Sequence, residues 1–369
     1  MPAADARSGS PDAPGTPGAP DAPGTPGAPG APGAVMRREM AEQPEVLRRF
    51  VARFDDHVAA LRAVLPARPT GVAFLARGSS DNAAVLGRYA VEVAAGLPSA
   101  LLAASLHTVY QAPIDYTGWV VVSLSQSGQT PEIVTVTERL RRAGATTVAI
   151  TNSGSSALAG AADVAVSLDA GEELAVPATK TVTSSLLAVL AVTAALGSLP
   201  FPRASLEALS DVVADVLSDV DSVDAVGASL ASADRVVVTA RGLLLPAALE
   251  TALKLQETTG MLAQGLSTAD LRHGPVAATG PDVPVVALAA PGAGEADTRA
   301  LADEVRARGA RAVVLGAEPG DAVSLPAVPE LLAPIPAVVR GQQLALAASL
   351  ARGVDPDSPA GLRKVTPTQ

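Results

Sequence analysis

From Gly71 onward, short runs of Val, Ile, Leu and Ala stop abruptly in small polar residues, and each stop opens a stretch with helical periodicity. "GVAFLARGSS" gives way to "DNAAVLGRYAVEVAAG", "WVVVSLSQSGQT" to "PEIVTVTERLRRAG", and "ATTVAITNSG" follows as a third run. The runs do not alternate apolar with polar residues, so both faces of each strand must be buried. Strands of that kind, joined by helical crossovers, build a parallel sheet covered on both sides. A long apolar helix is predicted in "GEELAVPATKTVTSSLLAVLAVTAALG", and prolines within 200–203 then interrupt the helical pattern. A second series begins there, with "DRVVVTARG", "PVVALAAPG" and "RAVVLGAE" as strands and "PAALETALKLQETTG" and "EADTRALADEVRARGA" as helices. The strand ends "LARGSS" and "TARGLLL" share Ala-Arg-Gly, as a duplication would leave behind. The predicted fold class is therefore α/β, in two tandem domains, each a doubly wound and mostly parallel sheet flanked by helices.

Residues 1–34 read differently. "DAPGTPGAP" occurs twice back to back, at 12–20 and 21–29, and a stretch with so much Pro and Gly and so little apolar bulk is predicted to be disordered. Met36 opens the first amphipathic helical pattern and is a candidate start of translation. The predicted organisation is a tail at 1–34, a first domain with N-terminal helices at 35–204, a second domain at 205–350, and a C-terminal tail at 351–369 that contributes to the active site.

With 369 residues, 48% of them hydrophobic, the chain has material for two cores of ordinary size. A formal net charge of -10 argues against nucleic-acid or anionic-membrane partners, which reward clustered Lys and Arg. An anionic small ligand then needs a local site. The absence of cysteine rules out a disulfide framework, a thiolate nucleophile and a Cys-based metal site. "MPAADARSGS" has no basic region followed by an apolar core, and "LLAVLAVTAAL" is well short of the roughly 20 residues a membrane-spanning helix needs. A cytoplasmic protein without a membrane partner is expected.

Arg so far outnumbers Lys that the chain holds three lysines, Lys180, Lys254 and Lys364. Arg cannot lose its proton or form a Schiff base, so lysines kept in an Arg-biased chain are suspects for chemistry, with chance survival as the alternative. Histidine is as scarce: His57, His107 and His273.

In an open α/β sheet, ligands bind at the carboxyl ends of the strands. There Ser125, Gln126, Ser127 and Thr130 supply donors, Gly128 lets backbone come close, and Pro131 suits the first helical position. Such a turn suits a phosphate, stabilised by the free amides and dipole of the following helix. The companion loop Gly78, Ser79, Ser80 ends a neighbouring strand and offers donors for the same anion. Simple N-capping is the alternative, although it needs one hydroxyl and not two loops of them. On "LETALKLQETT", Glu250, Lys254 and Glu257 fall on one helical face. A solvated salt-bridged stripe is the alternative, yet Leu253 and Leu255 between them and the scarcity of lysine favour function, with Lys254 keeping Glu257 ionised as a base. His273 lies in a loop broken by Gly and Pro, where polar surface is the plain reading. Lys364 lies in "GLRKVTPTQ", where a frayed terminus is the alternative.

"SLSQSGQT" with "ARGSSDNA" resembles the SIS (sugar isomerase) domain, a phosphosugar-binding fold. "EELAVPATK", "ALETALKLQETT", "STADLRHGPVA" and "GLRKVT" make the chain similar to double-SIS proteins, namely the isomerase half of glutamine:fructose-6-phosphate aminotransferase and SIS-type glucosamine-6-phosphate deaminases. The resemblance runs in order over about 36–369, including the Gln-Pro of "MAEQPE". It implies that Ser79, Ser80, Ser125, Gln126, Ser127 and Thr130 hold phosphate, and that Val176 and Glu250 help to bind the sugar. Glu257 then moves a proton between C1 and C2, Lys254 tunes Glu257, His273 opens the ring from across a dimer interface, and Lys364 matches a Schiff-base lysine. No metal or redox cofactor is implied, and the partners are a phosphorylated hexosamine and a second copy of the chain. Two departures matter. The sequence contains no glutaminase domain, so the expected reaction does not draw ammonia from glutamine. Pro177 and Ala178 stand where the aminotransferase pattern has Ala-Ser, which removes a hydroxyl near the sugar. The expected activity is conversion of glucosamine 6-phosphate and water to fructose 6-phosphate and ammonia. The alternatives are a dehydratase or lyase acting on an N-acetylated hexosamine 6-phosphate, and a non-catalytic phosphosugar sensor.

Overall fold

The computed structural model describes residues 30–362 and residue 364. Most of the stretch expected to be a disordered tail, 1–29, lies outside the described residues. The first sheet holds β1 (Gly71–Leu75), β2 (Ser99–Leu101), β3 (Trp119–Leu124), β4 (Thr146–Thr151) and β5 (Val164–Ser167) in the order β2-β1-β3-β4-β5. The second holds β6 (Arg235–Ala240), β7 (Leu262–Ser267), β8 (Val285–Ala289), β9 (Ala312–Gly316) and β10 (Val323–Ser324) in the order β10-β9-β8-β6-β7. Read from its other edge, the second sheet repeats the order of the first. Every pairing between these strands is parallel. This is the α/β architecture of two tandem, doubly wound units that the apolar runs predict.

Strands β2, β5, β7 and β10 are missing from the sequence reading, and all four are sheet edges. An edge strand is covered on fewer sides, so its side chains are not uniformly apolar. The central β1 and β8 are buried at every position, whereas β7 is buried at two of its six positions, Ala263 and Ser267.

Six helices position the site: α1 (Ala34–Ala41), α2 (Ser79–Ala90), α3 (Pro131–Arg142), α4 (Lys180–Leu196), α5 (Leu245–Thr259) and α6 (Pro334–Ala351). Residues 180–193 of α4 are buried all round, as are 334–349 of α6. Such helices belong inside a core, not on its surface. One hydrophobic cluster runs through both units, from Val72 and Leu187 to Leu244 and Val338. Helix α6 packs along α5, and Gly341 makes this possible, since a Cβ there would lie 2.1 Å from Thr251 Oγ1.

Helix α1 begins at Ala34, ahead of Met36, and its open end is closed by residues from far along the chain. The amides of Gly33, Val35 and Met36 donate to Asp355 Oδ1 at 2.9 Å, Asp357 Oδ2 at 2.7 Å and Asp357 Oδ1 at 2.8 Å. Unpaired first-turn amides and the helix dipole both favour carboxylates at that position. Among the described residues no helix is long and apolar enough to cross a membrane.

Candidate active site

Strands β1 and β3 are neighbours whose connections leave in opposite directions, toward β2 and β4, and a crevice opens where the order reverses. Leu75 lies opposite Ser123, so the two strands end almost level and deliver their loops to one place. A cavity of about 330 Å³ sits there, lined on one side by Ser79, Ser80, Ser125, Gln126, Ser127 and Thr130. Gly78, at φ 59°, turns the chain into α2. Gly128, at φ 61°, turns it toward α3, and a Cβ at Gly128 would lie 2.2 Å from Ser156 Oγ. Only glycine suits a position with both constraints.

Simple capping does not explain the hydroxyls. Gly78 and Thr130 occupy the N-cap positions of α2 and α3, and neither helix has a side-chain cap. Ser125 Oγ and Thr130 Oγ1 instead face each other at 3.2 Å, and Ser127 Oγ accepts from the Gln129 amide.

The second unit supplies the opposite wall through α5. Of the predicted triad, Glu257 lines the cavity, while Lys254 and Glu250 lie buried behind it. The solvated-stripe alternative is thereby removed. Lys254 Nζ bonds the Glu257 carboxylate and lies 3.4 Å from Glu250 Oε1. The other Glu250 oxygen accepts from Asn82 Nδ2 at 2.7 Å, which joins α2 of the first unit to α5 of the second. Burial works against the Lys254 ammonium, but Glu250 and Glu257 outweigh it and hold its pKa above the ordinary lysine value. For Glu257 the balance differs from the sequence expectation. Burial raises its carboxyl, Glu250 adds to the rise, and Lys254 offsets only part, so the pKa sits above the usual glutamate value. Lys254 tempers Glu257 without making it a strong acid.

Lys364 also lines the cavity and donates to Glu173 Oε2 at 2.7 Å. The buried Glu173 carboxylate further accepts from the amide and hydroxyl of Thr179, at 2.9 and 3.1 Å, and from those of Thr181, at 3.1 and 2.6 Å. Burial alone would raise its pKa, but Lys364 and the threonine donors overcome that and hold it below the usual range. Glu39 of α1 accepts from the amides of Leu174 and Ala175, which fixes the same loop from outside. Burial raises the Glu39 carboxyl, an effect to which Glu173 adds. Val176 and Ala178 present an apolar wall beside Thr181 and Ser185.

Other expected residues fall elsewhere. Lys180, a lysine suspected of chemistry, is itself buried but pairs with the partly exposed Glu42 at 2.5 Å, and it does not line the cavity. His57 stacks on Phe50, and His107 faces the Tyr116 hydroxyl at 3.2 Å. His273 is exposed just beyond the helix Thr268–Arg272 and is absent from the cavity lining of its own chain. Sequence reasoning passed over Arg77, Asn82, Glu39 and Glu173. Glu173 stands inside a quoted motif, and an acid followed by two threonines before a long apolar helix was the available signal. Asn82 and Glu39 acquire their partners only through tertiary contact.

Comparison with known proteins agrees with this geometry. The sequence matches the SIS domain family over residues 69–195 and 229–345. It is 31% identical over 338 residues to the glutamine–fructose-6-phosphate aminotransferase of Methanothermobacter thermautotrophicus, covering 89% of this chain and 56% of the relative. The chain thus spans little more than half the length of that relative. In fold it is similar to the C-terminal domain of glucosamine-fructose-6-phosphate aminotransferase from Francisella tularensis, with a TM-score of 0.79 and 24% identity over 88% of this chain and 98% of that one. It is likewise similar to a glucosamine-6-phosphate deaminase from Thermotoga maritima, with a TM-score of 0.73 and 24% identity over 90% of this chain and 99% of that one. Two matched segments, two sheets of one topology and a cavity at the reversal point of the first sheet lead to one conclusion: the chain belongs to the SIS domain family.

Proposed function

We propose that this protein converts glucosamine 6-phosphate and water to fructose 6-phosphate and ammonia. The observation that carries the reading is that one cavity joins a neutral hydroxyl and amide cradle from the first unit to Glu257 from the second. Ser79, Ser80, Ser125, Gln126, Ser127 and Thr130 hold the phosphate, which fixes the register of the sugar. Glu257 takes the proton from C2 and returns it to C1, leaving an imine at C2 that water hydrolyses to the ketone with release of ammonia. A carboxyl raised by burial suits this work, because a base is most effective with a pKa near the working pH. Lys254 and Glu250 set that pKa from behind. Lys364 reaches the sugar from the C-terminal segment, and His273 of a second copy opens the ring.

Incubation of the purified protein with glucosamine 6-phosphate yields ammonia and fructose 6-phosphate in equal amounts, and Glu257→Gln lowers the rate about 10²- to 10⁴-fold. Absence of turnover, or turnover unchanged in the variant, sinks the assignment. The apolar wall of Val176, Ala178 and Val182 supports a second reading, because it accommodates an N-acyl group. Loss of water from N-acetylglucosamine 6-phosphate, seen by mass spectrometry with no ammonia formed, identifies a dehydratase or lyase instead.

A further inference from the structure

Two cationic side chains line the cavity, and Lys364 is committed to Glu173. The other is Arg77, two residues past the end of β1. Its Nε and Nη2 donate to Oε2 and Oε1 of Glu132, both at 3.1 Å. Glu132 stands in the first turn of α3, immediately after the hydroxyl loop, and is 7% exposed, whereas the Arg77 side chain is 47% exposed. A guanidinium has five N–H donors in a rigid plane, and this fork uses two of them. The bidentate bond fixes the plane of a group that lines the cavity and leaves three of its five N–H donors outside the pair.

We propose that Arg77 is a substrate-anchoring residue, oriented by Glu132 so that its free edge meets the phosphate of the ligand at the cavity mouth. The proposal rests on the phosphosugar reading above. The other donors of the cradle are neutral, in a chain that carries a net charge of -10, so the charge of a phosphate dianion is otherwise met by amides and hydroxyls alone. Charge-assisted bonds to phosphate are about twice as strong as neutral ones, and an arginine already held in place loses little freedom on making them. Glu132 is a positioning residue. It is buried while the arginine is half exposed, so it orients the group from the protein side of the pair.

Binding of glucosamine 6-phosphate, unphosphorylated glucosamine and inorganic phosphate is measured calorimetrically on the full chain carrying Glu257→Gln, so that turnover does not interfere. Adding Arg77→Gln weakens the phosphosugar and inorganic phosphate by about 10- to 100-fold and leaves glucosamine unchanged. Arg77→Lys restores part of the loss, since a point charge replaces a fork. Glu132→Gln weakens the phosphosugar several-fold. In the otherwise unaltered enzyme, Arg77→Gln raises KM by the same factor with kcat within about twofold, as expected when ground state and transition state lose the same contact. If Arg77→Gln binds the phosphosugar as tightly as its parent and only melts earlier, the pair is a structural brace and the proposal is overturned. If the parent binds neither the phosphosugar nor phosphate, the phosphosugar reading itself fails and this anchor falls with it.

Discussion

Asn82 Nδ2 donates to Glu250 Oε2 at 2.7 Å, a single side-chain bond that ties the helix after the Gly78–Ser80 loop to the helix that carries Glu257. Asn82→Ala strands a buried carboxylate oxygen and is expected to cost about 1.5–3 kcal/mol. Urea denaturation measures the loss. A shift below about 0.5 kcal/mol in the midpoint free energy contradicts the assigned bond.

The buried acid-base cluster makes opposite predictions for its two partners. With Glu257 as the base proposed above, kcat/KM is expected to fall on the acid side as pH drops through its raised pKa. Glu250→Gln removes a carboxylate that raises that pKa, so the acid limb moves to lower pH. Lys254→Met removes the charge that lowers it, so the limb moves to higher pH, and the protein loses about 3–5 kcal/mol because buried carboxylates are left without their cation. A pH–rate profile of the three proteins checks the signs.

Acid stability rests in part on Glu173. Its pKa is depressed in the folded state, so its contribution is fully present above the ordinary glutamate value of 4.5 and is lost as pH falls through the folded value. Glu173→Gln is expected to flatten the pH dependence of thermal stability in that acid window and to cost about 3 kcal/mol at neutral pH. It also frees Lys364, which limited proteolysis of the C-terminal segment detects.

At Gly128 the backbone and the neighbouring side chains exclude a Cβ together. Gly128→Ala is expected to cost about 1–3 kcal/mol and to weaken inorganic phosphate binding more than tenfold. Gly78 has a left-handed φ but open space around it, so Gly78→Ala is the milder of the two in parallel melting and binding measurements.

The position of His273 outside its own cavity leads to a complementation test. Glu257→Gln and His273→Asn chains are each inactive alone, and their co-expressed mixture is expected to regain roughly a quarter of normal activity if sites form between two copies. A mixture as inactive as its components removes the shared site.

What could be read in the sequence follows from where each residue gets its partners. Strands such as β3, covered on both faces, leave continuous apolar runs, and the cradle concentrates its hydroxyls at their ends, so both were visible along the chain. The spacing of Glu250, Lys254 and Glu257 was visible for the same reason, because one helix holds all three. The net direction of the Glu257 shift was not, since it depends on burial between the two units. Helix α6 shows no periodic face because it has no solvent side. Glu39 and Arg77 carry no mark along the chain, because the fold alone brings Leu174, Ala175 and Glu132 beside them.

The clasp between α1 and Asp355 and Asp357 sets an order of assembly. A chain emerging from the ribosome exposes α1 first and these two aspartates more than 300 residues later. Lys364 lies shortly beyond them and settles on Glu173, whose loop is itself pinned by α1 through Glu39. The hydroxyl cradle is therefore synthesised well before the segment that carries Lys364, and the lysine reaches the cavity after it. A chain synthesised only as far as the second sheet already carries Glu173 and Glu257 but not Lys364, so the cavity is closed by a segment made after both sheets.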